Sequence, residues 1–144
     1  MELRDYQDKK VEELKNKVNE LLELDESKIC VLKAPTGSGK TIMVGDFLRR
    51  LVDPIDREDG KQFSFIWISV RDLHNQSKKA LETNFENAFR YSYFDDLQNN
   101  TIGQNEILFL NWEKLYNKDR IYIRENEKGK NLFNIIENTK QTGR

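Results

Sequence analysis

Residues 34 to 41 read Ala34-Pro35-Thr36-Gly37-Ser38-Gly39-Lys40-Thr41. This run fits the phosphate-binding loop pattern: a small residue, four more, then Gly-Lys-Thr. The chemistry fixes the residue types. A triphosphate carries several negative charges and must be wrapped closely by backbone N–H groups. Gly37 and Gly39 remove side chains that would block that approach, and they accept positive φ. The amides of the loop and of the following helix point at phosphate, where the helix dipole also favours negative charge. Lys40 adds a point charge between the β- and γ-phosphates. Thr41 offers a hydroxyl to Mg²⁺, an ion that keeps most of its water and takes few protein ligands.

Such a loop should follow a buried strand and open a helix. Upstream, Lys28-Ile29-Cys30-Val31-Leu32-Lys33-Ala34 is short, apolar and rich in β-formers, which predicts a strand. Downstream, Ile42, Met43, Phe47 and Leu51 recur at helical spacing until Asp53-Pro54. Before the strand, Val11, Leu14, Val18, Leu21 and Leu22 share one face of an amphipathic helix over about 5–24. Asp53 to Gly60 is a charged loop, and Phe63 to Val70 reads as a second buried strand. A helix follows with Leu73, Ala80, Leu81, Phe85, Ala88 and Phe89 inward. A turn-rich link over Asn99–Gln104 leads to a third strand at Ile107–Leu110 and a short helix from Trp112 to Tyr116. Lys118 to Lys130 is polar and reads as a mobile segment, and Leu132, Phe133, Ile135 and Ile136 mark a last short helix. The alternation of strand and helix makes the class α/β, with a mostly parallel sheet flanked by helices.

A chain of 144 residues is one domain or part of one. Its net charge of −1 gives no global basic field, so any nucleic-acid contact must be local. Mean hydropathy is −0.81, which points toward disorder until the 10% aromatic content is weighed. Cys30 is the only cysteine and forms no internal disulfide; a buried inert thiol in a reducing cytosol is the expectation. No N-terminal apolar stretch has signal character, and the run from Phe63 to Val70 is too short to cross a bilayer. A soluble cytoplasmic protein is expected. His74, the sole histidine, is read as a surface residue, since no second His or Cys gives it a metal partner.

Four segments, in order, resemble the N-terminal part of the first RecA-like domain of superfamily 2 helicases of DEAD/DEAH type. The nearest similarity is to the Res subunit of type III restriction-modification enzymes. Leu3-Arg4-Asp5-Tyr6-Gln7 resembles the adenine-reading segment, with Asp5 where proline is usual. The resemblance makes Arg4, Tyr6 and Gln7 nucleotide contacts, and a Gln amide suits the N6/N7 edge of adenine. Pro35, Thr36, Gly37, Ser38, Gly39, Lys40 and Thr41 form the phosphate loop, worded as in these helicases. Ser69-Val70-Arg71-Asp72-Leu73-His74-Asn75-Gln76 is similar to motif Ia, which makes Arg71 a candidate contact to a nucleic-acid backbone. Ile107 to Leu115 resembles the next strand-to-helix segment, with Asn111 where Thr is common; Asn111 and Lys114 are the candidate contacts there. Trp112 could stack on a base, but an interior tryptophan is the expectation.

The resemblance implies an incomplete RecA-like P-loop NTPase domain over residues 1–144, with ATP and Mg²⁺ as cofactors, Lys40 and Thr41 as the catalytic pair and Thr41 as the metal ligand. Its partners would be DNA and a modification methyltransferase subunit, with no membrane. The family also needs an Asp-Glu pair at the end of an apolar strand. No run of four apolar residues followed by Asp-Glu occurs, and Tyr93-Phe94-Asp95-Asp96 has no strand of the right length before it. The expectation is a chain truncated before that strand, inactive alone, and self-associating through the unpaired edge of Lys28–Ala34. Two other readings stand beside it. One is a small phosphotransfer kinase, for which Lys118–Lys130 would be a weak lid. The other is a non-catalytic nucleotide-binding remnant.

Overall fold

In the computed structural model, which describes residues 2–116 and 131–144, the chain divides into two units, Met1–Asp59 and Gly60–Arg144. The segment Lys118–Lys130 lies outside the described residues.

The N-terminal unit is built on two helices, α1 (Asp5–Leu22) and α2 (Lys40–Leu51). Apolar residues at helical spacing seal them together: Val11 from α1, and Met43, Phe47, Leu48 and Leu51 from α2, are all buried. A charge cluster reinforces the packing. Asp46, only 4% exposed, accepts from Arg49 Nη2 at 2.7 Å and from Arg50 Nε at 2.7 Å. Arg50 also reaches back to α1, to Glu12 at 2.9 Å and to Asp8. Hydrogen bonds from Lys15 and Arg50 hold the Glu12 carboxyl below its ordinary range. Helix α2 stops where Asp53 Oδ1 takes the Ile55 amide at 2.9 Å and Pro54 forbids continuation.

The strand expected over Lys28–Ala34 is absent. These residues are extended but unpaired, and Ile29 and Val31 are 91% and 72% exposed. A strand exists through its neighbour's hydrogen bonds, and no strand lies in this unit to supply them. Cys30 is correspondingly exposed rather than buried. Self-association through Lys28–Ala34 would have to use this unpaired segment rather than the edge of a formed strand.

The C-terminal unit holds a three-stranded, wholly parallel sheet in the order β1-β3-β2: β1 (Phe65–Ser69), β2 (Arg90–Tyr93) and β3 (Glu106–Asn111). Helix α3 (Leu73–Asn84) connects β1 to β2, and a 3₁₀ turn (Phe94–Asp96) follows β2. After β3 come α4 (Trp112–Tyr116) and α5 (Leu132–Gln141). All six residues of β3 are buried, as a central parallel strand requires. Phe109 meets Trp67 and Tyr91 on one face. Leu108 and Leu110 join Phe94, Leu97, Ile102 and Ile135 in a second cluster, which brings in α5. Among the described residues β1 has no neighbour on its outer side, and Ile66, Ile68 and Val70 are 38–44% exposed.

Strand β2 is the element the pattern hides. Four residues, Arg-Tyr-Ser-Tyr, carry too little apolar signal, and the helical reading runs up to their edge at Phe89. The helix instead closes at Asn84, where Thr83 and Asn84 side chains hydrogen-bond the Lys79 and Ala80 carbonyls. Ser92 is buried because its hydroxyl pairs with Glu106 at 2.5 Å. The inward face of α3 is His74, Ser77 and Leu81, so Leu73 is exposed and His74 is not a surface residue. A four-residue strand thus does precede Phe94-Asp95-Asp96.

Candidate functional site

The loop from Pro35 to Thr41 closes on itself first. The Ser38 amide donates to the Pro35 carbonyl at 3.1 Å. Gly37 and Gly39 then take φ of 77° and 79°, the left-handed region that glycine enters without a Cβ penalty. Gly39 is the N-cap of α2, and its carbonyl accepts the first helical bond, from Met43 N at 2.9 Å. Lys40 and Thr41 are the first two helical residues. No side chain caps α2, so the first-turn amides are left for another acceptor. The Ser38 hydroxyl is buried and, among the described residues, has no hydrogen-bond partner. Uncapped amides, an orphaned hydroxyl, a lysine and a threonine form a donor set that fits a polyphosphate with its cation.

The segment before α1 meets this loop. Tyr6 Oη donates to the Ser38 carbonyl at 3.1 Å, and Gln7 Nε2 donates to the same oxygen at 2.8 Å. Gln7 Oε1 accepts the Arg4 amide at 3.0 Å, which closes the N-terminus of α1. Tyr6, Gln7 and the phosphate loop are thus brought together, while Arg4 contributes its backbone. Sequence reasoning found these residues but not that they touch one carbonyl.

In the C-terminal unit, Arg71 lies in the left-handed region with φ 54°. Its amide donates to both carboxylate oxygens of Glu113, at 2.9 and 3.0 Å. Its carbonyl accepts from Asn111 Nδ2 at 2.5 Å. Asn111 Oδ1 in turn takes the Lys114 amide at 3.0 Å and starts α4. Arg71, Asn111 and Lys114 are therefore one cluster at the carboxyl ends of β1 and β3, where parallel sheets place ligands. Asn111 spends its amide on the backbone, which makes it a holder of the Arg71 turn. Glu113, which the sequence did not single out, holds the other side. The Arg71 amide is the largest of the influences that keep its carboxyl below the usual carboxylate range. Trp112 is not interior: it is 42% exposed and lines a shallow cleft of about 370 Å³ with Ile68, Ser69, Val70 and Leu73.

The acidic residues do not assemble a metal site: among the described residues no group of three or more His, Cys, Asp or Glu could hold an ion. Asp96 caps its own 3₁₀ turn by accepting the Tyr93 amide at 2.8 Å. The chain's single Asp-Glu pair, Asp25-Glu26, follows α1 rather than a strand. Among the described residues no helix is long and apolar enough to cross a membrane.

Comparison with known proteins gives one match. The family described as type III restriction enzyme, res subunit, matches residues 1–137. No curated protein and no solved structure matches the chain.

Proposed function

The chain belongs to the type III restriction enzyme Res-subunit family, and from that premise we propose that it is the ATP-binding segment of a DNA-dependent ATPase. The observation that carries this reading is the uncapped N-terminus of α2, reached through two left-handed glycines. Backbone amides of Lys40 and its neighbours receive phosphate oxygens, and the Lys40 ammonium lies against the charge that a phosphoryl transfer spreads over those oxygens. The Thr41 hydroxyl and the Ser38 hydroxyl supply two further polar contacts. Thr41 would hold Mg²⁺ through its hydroxyl, and the ion would supply neutralisation of phosphate charge. Gln7 reads adenine. Arg71, with Lys114 in the first turn of α4, takes a DNA backbone phosphate. A modification methyltransferase as partner and a cytoplasmic location belong to the same proposal.

In this reading the chain by itself binds without turnover, because its one Asp-Glu pair, Asp25-Glu26, follows a helix and ends no strand among the described residues. Without a group to orient the attacking water, on the order of 10³-fold in rate is missing. The test is thermal stabilisation by ATP, ADP and GTP with Mg²⁺, in the parent chain and in Lys40→Ala. ATP and ADP should raise the Tm of the parent only, and GTP less than ATP. Equal shifts in Lys40→Ala would remove the nucleotide site. DNA-stimulated turnover that depends on Lys40 would remove the statement that this chain only binds.

A further inference from the structure

We propose that Tyr6 and Gln7 are positioning residues for the phosphate loop, so that losing either weakens binding of a polyphosphate that has no base at all. The inference rests on the nucleotide-site reading above and deepens it. Its pivot is the Ser38 carbonyl. The two ends of the Ser38 residue are fixed from opposite directions: its amide by Pro35 within the loop, its carbonyl by Tyr6 Oη and Gln7 Nε2 from the start of α1. The next residue is Gly39, whose left-handed conformation aims the first amides of α2. A loop that must leave the amides after Ser38 open to a ligand cannot be held through those amides. It can be held through a carbonyl, and this one has both of its lone pairs occupied.

The fit is close enough to explain the residue at 39 a second time. A Cβ built there would lie 2.7 Å from Gln7 Nε2. At Gly37, with almost the same φ, a Cβ would meet nothing within 4 Å. Glycine at 39 is required by its backbone angle, and a Cβ there would push the Gln7 amide away from the Ser38 carbonyl.

Gln7 is not used up by this role. Its amide has two N–H donors and two acceptor lone pairs. The Ser38 carbonyl takes one donor and the Arg4 amide one lone pair. One donor and one acceptor remain, the pair that the N7 and N6 edge of adenine requires. The same side chain can hold the loop and read the base, which links base recognition to phosphate affinity.

The test uses inorganic tripolyphosphate with Mg²⁺ as the base-free probe, beside ATP, on the whole chain. The variants are Tyr6→Phe, which removes one hydroxyl, and Gln7→Ala. Tyr6→Phe should weaken tripolyphosphate and ATP alike, each by about five-fold, the worth of one hydrogen bond of about 1 kcal/mol. Gln7→Ala should weaken tripolyphosphate by about the same factor and ATP by more. Weaker ATP with unchanged tripolyphosphate would make both residues base readers only and overturn the proposal. Amide hydrogen exchange of the ligand-free chain gives a second readout. Exchange over Gly37–Ile42 should speed up in both variants, with no change in α5. Unchanged exchange over Gly37–Ile42 would overturn the proposal even if no ligand bound. Retained ATP binding in Lys40→Ala would instead sink the nucleotide reading and leave the exchange result to decide the loop contact.

Discussion

Gly39 and Arg71 both occupy the left-handed region, at φ 79° and 54°, and they reach it by opposite means. At Gly39 the conformation comes from the residue type. The amides around it must stay open, so they cannot be spent on enforcing the shape, and the outside help, from Tyr6 and Gln7, comes through one carbonyl. At Arg71 the residue resists the conformation by about 1–2 kcal/mol. There a carboxylate on its amide and a carboxamide on its carbonyl enforce it from outside. The difference fits the two proposed roles. The glycine turn leaves its backbone amides open, as a phosphate site would need. The Arg71 turn has its backbone occupied within the protein, which leaves the side chain as the group for a contact.

Exchanging residue types at the two positions tests this contrast most directly. Gly39→Ala should be the most damaging change. Its Cβ meets Gln7 Nε2 at 2.7 Å in a strained φ, so a loss of about 1–3 kcal/mol is expected, with nucleotide-induced stabilisation abolished. Gly37→Ala meets nothing and should lose only about 1 kcal/mol. Denaturant midpoints of the two variants check the order; equal losses would mean that Gln7 does not constrain Gly39.

Asn111→Ala comes next. It removes the Arg71 carbonyl's partner and the cap on Lys114 together, for about 1–2 kcal/mol. Both tryptophans, Trp67 and Trp112, lie in the C-terminal unit, so urea unfolding followed by their fluorescence reports this unit. Arg71→Gly should be close to neutral, within about 1 kcal/mol. The relief of left-handed strain offsets the added entropy of the unfolded chain. A loss as large as that from Gly39→Ala would break the contrast, because the arginine side chain would then be stabilising its own turn.

The smallest effect is on pH dependence. The Glu113 carboxyl is depressed by the Arg71 amide. Such a group contributes stability above its unfolded-state value and loses that contribution as pH falls through the depressed folded-state value. Stability of the C-terminal unit should therefore drop on acidification below about pH 4.5, the ordinary value for the group, and Glu113→Gln should make that drop shallower. An identical profile in the variant would show that the carboxylate does not hold the turn.

The parts legible in the sequence are those fixed by local chemistry. The phosphate loop, α1, α2, β1 and β3 follow from glycine spacing, helical periodicity and apolar runs. The parts that escaped depend on a partner distant in sequence. Ile29 to Leu32 has the composition of a strand, yet composition provides no neighbour, and these residues stay unpaired. Arg90 to Tyr93 has little of that composition, yet β3 pairs with it and Glu106 satisfies Ser92. Arg71 and Asn111 were singled out separately and only through family resemblance, their contact appears only in the fold, and Glu113 gave no local sign because its partner lies in another turn. Tyr6 and Gln7 were identified by type, while their shared acceptor could be seen only once α1 and the loop were folded.

The central place of β3 bears on the order in which the C-terminal unit forms. Among the described residues both outer strands pair only with β3, and β3 is the last of the three to leave the ribosome. Until it arrives, β1 and β2 have nothing to bind, and the apolar row of Phe65, Trp67 and Tyr91 is open to water. Parallel pairs close long loops before any contact rewards them, so this sheet should assemble late and all at once. A newly made chain therefore passes through a period when its two aromatic outer strands are complete, exposed and available to chaperones.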